Sequence, residues 1–361
     1  MKILVVHASA GAGHTKAAEA LYQGLIKNPA NKVTIIDSLD YTSPSFKNLY
    51  RGSYTFFVTK IPGVWGFCFW LLDQDWLQPL VKLGRRIYNG CNAGKLEKLL
   101  KEENFDYIFS THFLASEVAP ALKRKGLITS KIVTIVTDFD VHRIWLAQGT
   151  DSYTVASPWT KEKIKSLGVD DKQIFVTGIP TDEKFARQFD KLEAKKKLGL
   201  EPNAFTVLMA TGSFGTGPLE EILEALKGFQ VVVVCGHNKA LYEKLSQTQR
   251  PLVKILGLVN NMPDIMAAAD VMVTKPGGLS ISEALISFLP LIFFNPIPGQ
   301  ETNNIMVLKK YGIGISDCTI PQIADELQKF RSSPDLFVTA VKKTQLLACP
   351  NAVRDIIALI K

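Results

Sequence analysis

The chain has 361 residues, of which 47% are apolar and 21% are charged, with 42 Lys and Arg against 34 Asp and Glu. These values exclude a disordered chain, a collagen-like fibre and a coiled coil, and the length favours two domains. The excess of positive charge lies mostly before Pro180, where the balance is +6 against +2 after it. This asymmetry indicates an anionic partner surface, such as lipid headgroups or nucleic acid.

The first residues and the cysteines bear on the cellular compartment. Met1 to His7 contains only four consecutive apolar residues before a glycine-rich turn, which predicts a buried strand and not a signal peptide. Five cysteines without a CxxC pair favour a reducing cytosol. Because no run of about 18 apolar residues is free of charges and helix breakers, we expect no transmembrane helix.

Short β-branched runs alternate with helical patterns along almost the whole chain, which indicates parallel sheets with right-handed crossovers. We predict an α/β protein in which two doubly wound, Rossmann-like parallel-sheet domains face each other across a cleft. The predicted divisions are a domain at 1–180, a linker at 181–200, a domain at 201–345 and a terminal helix at 346–361 that can cross back to the first domain. The predicted strands are Lys2–His7, Lys32–Asp37, Tyr107–Ser110, Lys131–Thr137, Ser152–Val155, Gln173–Val176, Thr206–Ala210, Gln230–Cys235, Val253–Leu256, Val271–Thr274 and Pro290–Asn295.

The first strand leads into a glycine-rich turn, Gly11-Ala-Gly-His14, that opens an Ala-rich helix. Backbone N–H groups at such a helix end can bind a ligand. The helix dipole disfavours a protonated imidazole, so we expect His14 to be neutral near pH 7 and able to accept a proton. Two alternatives stay open: a histidine that only caps the helix, and a dinucleotide fingerprint with Asp37 as the ribose acid, which fails where Lys16 replaces the third glycine.

Residues 44–92 interrupt the alternation, because they contain no convincing strand and are rich in aromatic residues and interleaved cations. This combination is typical of a membrane interface. The alternative is a helical insertion whose aromatic side chains are simply core. The aromatic residues expected to enter an anionic bilayer are Trp65, Phe67, Phe69 and Trp70, and the cations expected to meet its headgroups are Lys82, Arg85 and Arg86.

Two more glycine-rich turns follow strands in the second half, at 210–218 and 274–285. Their amides can form phosphate-binding sites, although a plain strand–helix connection explains the first turn equally well. In the second turn, the amides from Gly277 to Ser280 can bind a diphosphate while Glu283 accepts hydrogen bonds from a ribose diol. The alternative is a capping box formed by Ser280 and Glu283. The polar run at 296–304 suits sugar hydroxyls.

Together these loops resemble a known family. The segments 257–270, 275–283 and Pro298-Gly-Gln-Glu301 resemble the donor domain of inverting nucleotide-sugar glycosyltransferases of the GT-B fold. The segments 11–18 and 136–145, the latter containing Thr-Asp138-Phe-x-x-His-x-x-Trp145, resemble the N-terminal domain of the diacylglycerol glycosyltransferases. These are the plant-type monogalactosyldiacylglycerol synthases and the bacterial processive glucosyl enzymes. The C-terminal half also resembles the lipid-linked peptidoglycan N-acetylglucosamine transferase.

The resemblance implies a role for each matching residue. His14 is implied as the general base that deprotonates the acceptor hydroxyl, with Asp138 as the second candidate. His237 stands where many relatives carry Arg. The residues implied on the donor side are Gly212, Ser213, Gly236, His237, Asn238, Val259, Met262, Gly277, Gly278, Leu279, Ser280, Glu283, Gln300, Glu301 and Asn304, and those on the acceptor side are Gly13, His112, His142 and Trp145.

The implied activity is the inverting transfer of a hexose from UDP-glucose or UDP-galactose to diacylglycerol, by a peripheral enzyme on the cytoplasmic face of an anionic membrane, with no role for nucleic acid. We expect no bound metal or other cofactor, since the histidines lack metal-ligand spacing. Asp73-Gln-Asp75 resembles the DxD metal motif of another glycosyltransferase fold but lies away from any predicted strand end. The alternatives are another lipid acceptor, such as a polyprenyl-linked sugar, and a non-catalytic module that binds a nucleotide sugar or a lipid.

Overall fold

The structure is a computed structural model that describes residues 1–9, 11–187, 189–212, 215, 217–316 and 318–360, with side chains at these positions except at 51, 54, 55 and 86–91. The chain divides into two compact units. Unit 1 comprises Met1–Asp182, Ile297–Asn303 and Asn351–Lys361, and unit 2 comprises Glu183–Pro296 and Asn304–Pro350.

The predicted alternation of strands and helices is confirmed, and all eleven predicted strands form with ends that differ by at most two residues. The strands are β1 (Lys2–His7), β2 (Lys32–Asp37), β3 (Tyr107–Ser110), β4 (Lys131–Ile135), β5 (Ser152–Val155), β6 (Ile174–Val176), β7 (Thr206–Ala210), β8 (Gln230–Val234), β9 (Val253–Leu256), β10 (Val271–Thr274) and β11 (Leu291–Phe293). The helices are α1 (Ala12–Leu25), α2 (Pro44–Lys60), α3 (Pro62–Leu72), α4 (Gln78–Asn92), α5 (Gly94–Glu103), α6 (Ala115–Arg124), α7 (Pro158–Ser166), α8 (Lys191–Lys197), α9 (Leu219–Ala225), α10 (Lys239–Ser246), α11 (Met262–Ala268), α12 (Gly278–Ile286), α13 (Gln300–Lys310), α14 (Ile320–Ser332), α15 (Pro334–Thr344) and α16 (Ala352–Ile357).

The sheet of unit 1 is parallel, with the strand order β2-β1-β3-β4-β5-β6. The chain passes from β1 outward to β2 and then returns to β3 on the other side of β1. This reversal makes a topological switch point between β1 and β3. Ligands of open parallel sheets bind outside the carboxyl ends of the strands at such a point, so the loops after β1 and β3 mark the expected place of a site.

Apolar side chains cover both faces of this sheet. On one face, Leu21 of α1 and Val353 of α16 belong to a buried cluster with Phe109 of β3. On the other face, Leu96 of α5 and Val118 of α6 belong to a second buried cluster. The terminal helix α16 is therefore part of unit 1.

Unit 2 also contains a parallel sheet, with the strand order β11-β10-β7-β8-β9. The switch point of this sheet lies between β7 and β10, so the glycine-rich loops that follow these two strands adjoin. The segment 181–200, predicted as a linker, is mostly packed into this unit. Its helix α8 carries Lys195, which is buried and lies 3.5 Å from the carboxylate of Asp270.

Residues 44–92 form α2, α3 and α4 and a short 3-10 turn, without a strand. None of the residues of α3, all of which the structure describes, is buried. Core packing therefore does not account for the aromatic side chains of this helix. Among the described residues, no helix combines the length and the apolar character needed to cross a bilayer.

Candidate active site

His14 lies in the first turn of α1, directly beyond the turn that follows β1. Its Nδ1 is 2.8 Å from the carbonyl oxygen of Thr111, which follows β3, and 2.9 Å from the hydroxyl oxygen of Thr137, which follows β4. A carbonyl oxygen can only accept a hydrogen bond, so Nδ1 carries the proton and Nε2 keeps a lone pair. Within the described residues Nε2 has no hydrogen-bond partner, which leaves this atom able to accept a proton from a ligand.

The surroundings of His14 keep its imidazole neutral. Burial lowers the pKa of His14 to about 4, although the hydrogen bond to the Thr111 carbonyl opposes this shift. The nearby His7 lowers the same pKa a little further. The predicted neutral state is confirmed, but its main cause is desolvation, which the sequence pattern did not indicate.

A cavity in unit 1 contains His14 in its wall. The empty volume is about 930 Å³, including space open to solvent. The lining includes the rings of Tyr50, Trp65, Phe113 and Trp145. A neutral base in a largely aromatic pocket suits a hydroxyl group carried by an apolar molecule.

Asp138, the second candidate base, lines the same cavity but is bound to Gln300. The side-chain amide of Gln300 donates to the Asp138 carboxylate, with Nε2 at 3.1 Å from both oxygens. Gln300 lies in the segment 297–303, which belongs to unit 1 together with Asp138. The structure therefore brings together His14, Asp138 and Gln300, of which Gln300 was predicted on the donor side.

His112 lies directly beside the candidate base, with its ring centroid 4.9 Å from that of His14. Its Nδ1 accepts a hydrogen bond from the backbone N–H of Leu114 at 3.2 Å, and its Nε2 is 3.4 Å from the Tyr50 hydroxyl. Burial lowers the pKa of His112 well below its ordinary value. His112 and the buried Trp145 thus form a neutral, fixed part of the cavity wall.

His142 supports the wall through its ring nitrogens. Its Nδ1 accepts from the backbone N–H of Ile144 at 3.0 Å, and its Nε2 donates to the carbonyl oxygen of Phe69 in α3 at 2.9 Å. Both nitrogens are therefore engaged by the protein. These bonds fasten α3 to the loop after β4, and because His142 also lines the His14 cavity, its predicted contact with the acceptor stays a prediction.

The two aspartates of the DxD sequence fasten α3 to the same loop. The Asp73 carboxylate accepts from the backbone N–H of Arg143 at 2.8 Å, and the Asp75 carboxylate pairs with the Arg143 guanidinium at 2.7 Å. Across the described residues, no group of three or more His, Cys, Asp or Glu side chains is arranged to hold a metal ion. The structural role of Asp73 was not predicted, because its partner lies 70 residues away.

The aromatic side chains of α3 divide into two faces. Trp65 and Phe69 line the His14 cavity. Phe67 and Trp70 point away from it and are 58% and 57% exposed. The helix turns 100° per residue and so places the two pairs on opposite sides. The prediction that all four enter a membrane stays a prediction.

The three cations that are predicted to bind headgroups differ in their surroundings. The guanidinium of Arg85 pairs with the Glu117 carboxylate at 3.0 Å and donates to the carbonyl oxygen of Ile144 at 3.0 Å. Arg85 is thus already paired within the protein, and its predicted contact with lipid headgroups stays a prediction. Lys82 is exposed. The side chain of Arg86 lies outside the described residues.

In unit 2 the loops after β7 and β8 are joined by Asn238. Its Oδ1 accepts from the N–H of Leu241 at the start of α10, and its Nδ2 donates to the carbonyl oxygen of Gly215 at 2.9 Å. Gly215 has φ +55°, and a Cβ there would lie 2.2 Å from the Cys235 carbonyl oxygen, so only glycine fits. Gly212 is exposed on this loop, and Ser213 lies outside the described residues.

The loop after β10 ends at Gly277, which is the N-cap of α12. The capping box considered from the spacing of Ser280 and Glu283 is wrong, because Ser280 lies inside the first turn of the helix. The N–H groups of Gly278, Leu279 and Ser280 are among the first of α12 and have no carbonyl acceptor within the helix. This end of α12 can therefore receive an anion.

The remaining predicted donor residues lie at several places in the two units. Asn304 is buried and donates to the carbonyl oxygen of Pro276 at 3.0 Å, so it holds the loop before α12. The Glu301 carboxylate accepts from the backbone N–H of Ile297 at 2.7 Å, within its own loop. Residues at the ends of β8 and β9 complete the set: Gly236 is buried, His237 exposed, and Val259 and Met262 half-buried.

Comparisons with known proteins identify the family of the chain. Residues 14–181 match the family described as monogalactosyldiacylglycerol (MGDG) synthase, and residues 216–334 match the glycosyltransferase family 28 C-terminal domain. A processive diacylglycerol beta-glucosyltransferase of Staphylococcus epidermidis is 33% identical over 334 residues, which cover 87% of this chain and 80% of that protein. The chain belongs to the processive diacylglycerol beta-glucosyltransferase family. The resemblance seen in the sequence motifs is confirmed.

Solved structures extend the comparison to the fold. This member of the family is similar to MurG of Acinetobacter baumannii, with a TM-score of 0.61 and 14% identity, over 99% of each chain. It is also similar to Anabaena Alr3699/HepE in complex with UDP-glucose, with a TM-score of 0.59 and 15% identity, over 100% of this chain and 99% of that one. The predicted GT-B-like fold of two Rossmann-like units is confirmed.

Proposed function

We propose that the protein transfers glucose from UDP-glucose to the free hydroxyl of diacylglycerol, with inversion at the anomeric carbon. Family membership supports the class of reaction. The observation that carries the proposal is the state of His14, whose Nδ1 is held by the Thr111 carbonyl while Nε2 stays available in a largely aromatic cavity.

In the proposed reaction the acceptor hydroxyl gives its proton to Nε2 of His14. The hydroxyl oxygen forms a bond to the anomeric carbon of glucose as the bond from that carbon to the diphosphate oxygen breaks. UDP leaves with the electron pair of the broken bond. A neutral histidine fits this step, because it must arrive without the proton that it is to accept.

On the donor side, we assign the diphosphate to the first turn of α12 and to the loop after β7. The unpaired amides of that turn and the positive end of the helix dipole stabilise the charge that develops on the leaving diphosphate. Glu283 receives the ribose hydroxyls in this proposal. No metal ion is assigned a role in charge stabilisation.

Asp138 and Gln300 act as a positioning pair in the proposed site. Because both carboxylate oxygens of Asp138 face the Gln300 amide at 3.1 Å, His14 is the better candidate for the base. The pair would fix the wall against which the acceptor glycerol and the transferred sugar meet.

We further propose that the outward face of α3 and the neighbouring α4 rest on the membrane that supplies diacylglycerol. Phe67 and Trp70 are exposed on α3 with ring centroids 5.9 Å apart, and Leu80 and Leu83 are exposed on α4. Exposed apolar side chains in such number suit a membrane surface. Lys82 of α4 is also exposed and suits an anionic headgroup.

The test is an assay of the purified chain with diacylglycerol vesicles and either UDP-glucose or UDP-galactose. We expect mass spectrometry to show one or more hexoses added to diacylglycerol from UDP-glucose, and NMR to show a β linkage. A protein that binds UDP but forms no glycolipid with either donor would be a binding module, and the proposal would be wrong. A product formed only with a polyprenyl-linked sugar would change the acceptor class.

A further inference from the structure

A second groove lies beside the His14 cavity in unit 1. It has an empty volume of about 710 Å³, including space open to solvent. Its described lining is Leu72, Val81, Gly84, Arg85, His142 and Ile144. None of the catalytic or donor assignments above uses this groove.

The groove and the His14 cavity share one wall. Leu72, His142 and Ile144 line both of them. The groove therefore adjoins the cavity that holds the candidate base. A molecule bound at His14 needs to extend only past these three side chains to reach the groove.

The polar groups of the groove are already satisfied. Arg85 pairs with Glu117 and donates to the carbonyl oxygen of Ile144. His142 uses Nδ1 and Nε2 for the backbone of Ile144 and Phe69. Among the described lining residues, the surface left for a ligand is thus hydrocarbon, from Leu72, Val81 and Ile144, which disfavours a phosphate or a charged headgroup.

We propose that this groove binds one acyl chain of the lipid acceptor. The inference rests on the proposed function, since it takes diacylglycerol as the molecule whose hydroxyl lies at His14. The glycerol then occupies the His14 cavity, and one chain crosses the wall formed by Leu72, His142 and Ile144 to lie along α4. The groove makes the enzyme sensitive to acyl chain length, because only a long chain reaches it.

Gly84 offers a way to fill the groove without disturbing the fold. A Cβ added at Gly84 meets no atom within 4 Å, so a larger side chain has open space to enter. Gly63, near the start of α3, is equally open but does not line the groove. Both positions are helical, where replacing Gly by Leu favours the helix, so Gly84→Leu and Gly63→Leu are a matched pair.

The experiment compares kcat/KM for a long-chain and a short-chain acceptor, dioleoylglycerol and dihexanoylglycerol, in the same mixed micelles with saturating UDP-glucose. We expect Gly84→Leu to lower the long-chain to short-chain ratio at least tenfold relative to the unaltered chain, mainly through KM for the acceptor. Gly63→Leu is expected to leave the ratio unchanged. A ratio in Gly84→Leu within twofold of the unaltered chain, or an equal fall in Gly63→Leu, would overturn the inference while the proposed function stands.

A second measurement locates the chain directly. Diacylglycerol with a diazirine at the end of one acyl chain is photolysed with the full-length protein, and the adducts are mapped by mass spectrometry. We expect labelling at Leu72 or Val81 that Gly84→Leu removes and Gly63→Leu retains. Labelling confined to other parts of the chain would overturn the inference. An unaltered chain that glycosylates neither acceptor would overturn the proposed function, and the acyl-chain site with it.

Discussion

His14 shows how a single side chain acquires its chemistry from distant backbone groups. The position of His14 in the first turn of α1 depends on neighbouring residues. The tautomer of its ring depends on the Thr111 carbonyl, which is 97 residues away in the sequence. That hydrogen bond places the proton on Nδ1 and leaves Nε2 as the atom able to act as a base. In the proposed reaction, His14 is thus a base whose tautomer is fixed by the residue that follows β3.

Replacing His14 by Ala should lower kcat by about 10²–10⁴-fold, the usual effect of losing a general base. UDP binding, measured by calorimetry, should persist because the assigned nucleotide loops belong to unit 2. Asp138→Asn is the companion variant, since it keeps the shape of the side chain and tests the second candidate. Near-normal turnover in His14→Ala with a large loss in Asp138→Asn would reverse the two assignments.

Substitutions of Glu283 test the proposed contact with the donor ribose. Glu283→Ala should raise KM for the donor strongly, because it removes the carboxylate that is proposed to bind the ribose hydroxyls. Glu283→Gln should do less harm, because its amide oxygen can still accept one hydrogen bond from the ribose. Thermal melts run beside UDP titrations provide the measurement. A loss of stability of about 1 kcal/mol with unchanged UDP affinity would instead indicate a structural role.

At the scale of an element, α3 has two functional faces. The inward face lines the His14 cavity through Trp65 and Phe69, and the outward face exposes Phe67 and Trp70. This division gives a membrane test with an internal control on the same helix.

Phe67→Ser with Trp70→Ser should weaken co-sedimentation with anionic vesicles by about tenfold or more, since burial of each large apolar side chain is worth about 1.5–3 kcal/mol. UDP binding should be unaffected. The inward pair, Trp65→Ser with Phe69→Ser, should retain most vesicle binding and instead raise KM for the acceptor. If the inward pair releases the protein and the outward pair does not, the assignment of the faces is wrong.

The attachment of α3 to the loop after β4 is a second property of this element. Asp73→Ala removes the acceptor for the Arg143 backbone N–H and should increase hydrogen exchange in α3 and α4. Asp75→Ala is the matched control from the same three-residue sequence, because the Asp75 side chain is 82% exposed and exposed ion pairs contribute about 0–1 kcal/mol. Equal exchange in the two variants would mean that the Asp73 hydrogen bond does not hold the helix.

At the scale of the whole molecule, acid should destabilise unit 1. Burial is the largest cause that lowers the pKa values of His7, His14, His112 and His142 below the ordinary 6.5. Between pH 6.5 and the lower folded-state values, the unfolded chain therefore binds more protons than the folded one. Stability from these groups is fully present above pH 6.5 and is lost as the pH falls through their lowered pKa values, which for His14 is about 4.

We expect the melting temperature to fall between pH 7 and pH 5, with proton uptake on unfolding at pH 5.5. His14→Gln should reduce that uptake by about one proton, because His14 is neutral when folded at this pH and charged when unfolded. Calorimetry in buffers of different ionisation enthalpy measures the uptake. An uptake that is identical in the variant would contradict the assigned pKa of His14.

The sequence by itself determined the strands, the parallel class of the sheets and the importance of the turn at His14. These features depend on local information, because β-branched runs, helical periodicity and glycine-rich turns are properties of adjacent residues. The family resemblance added roles for residues that stand in recognisable motifs. The faces of α3 could have been separated by helical geometry alone, but the sequence did not show which face would be covered.

Only the tertiary structure decided which residues meet. The order of strands brings the ends of β1, β3 and β4 together, so His14 meets Thr111 and Thr137. The segment 297–303 joins unit 1 and carries Gln300 to Asp138, 162 residues away. Arg85, which is predicted to meet lipid headgroups, pairs with Glu117 for the same reason. Pairings of this kind depend on how the whole chain packs, so no pattern of neighbouring residues specifies them.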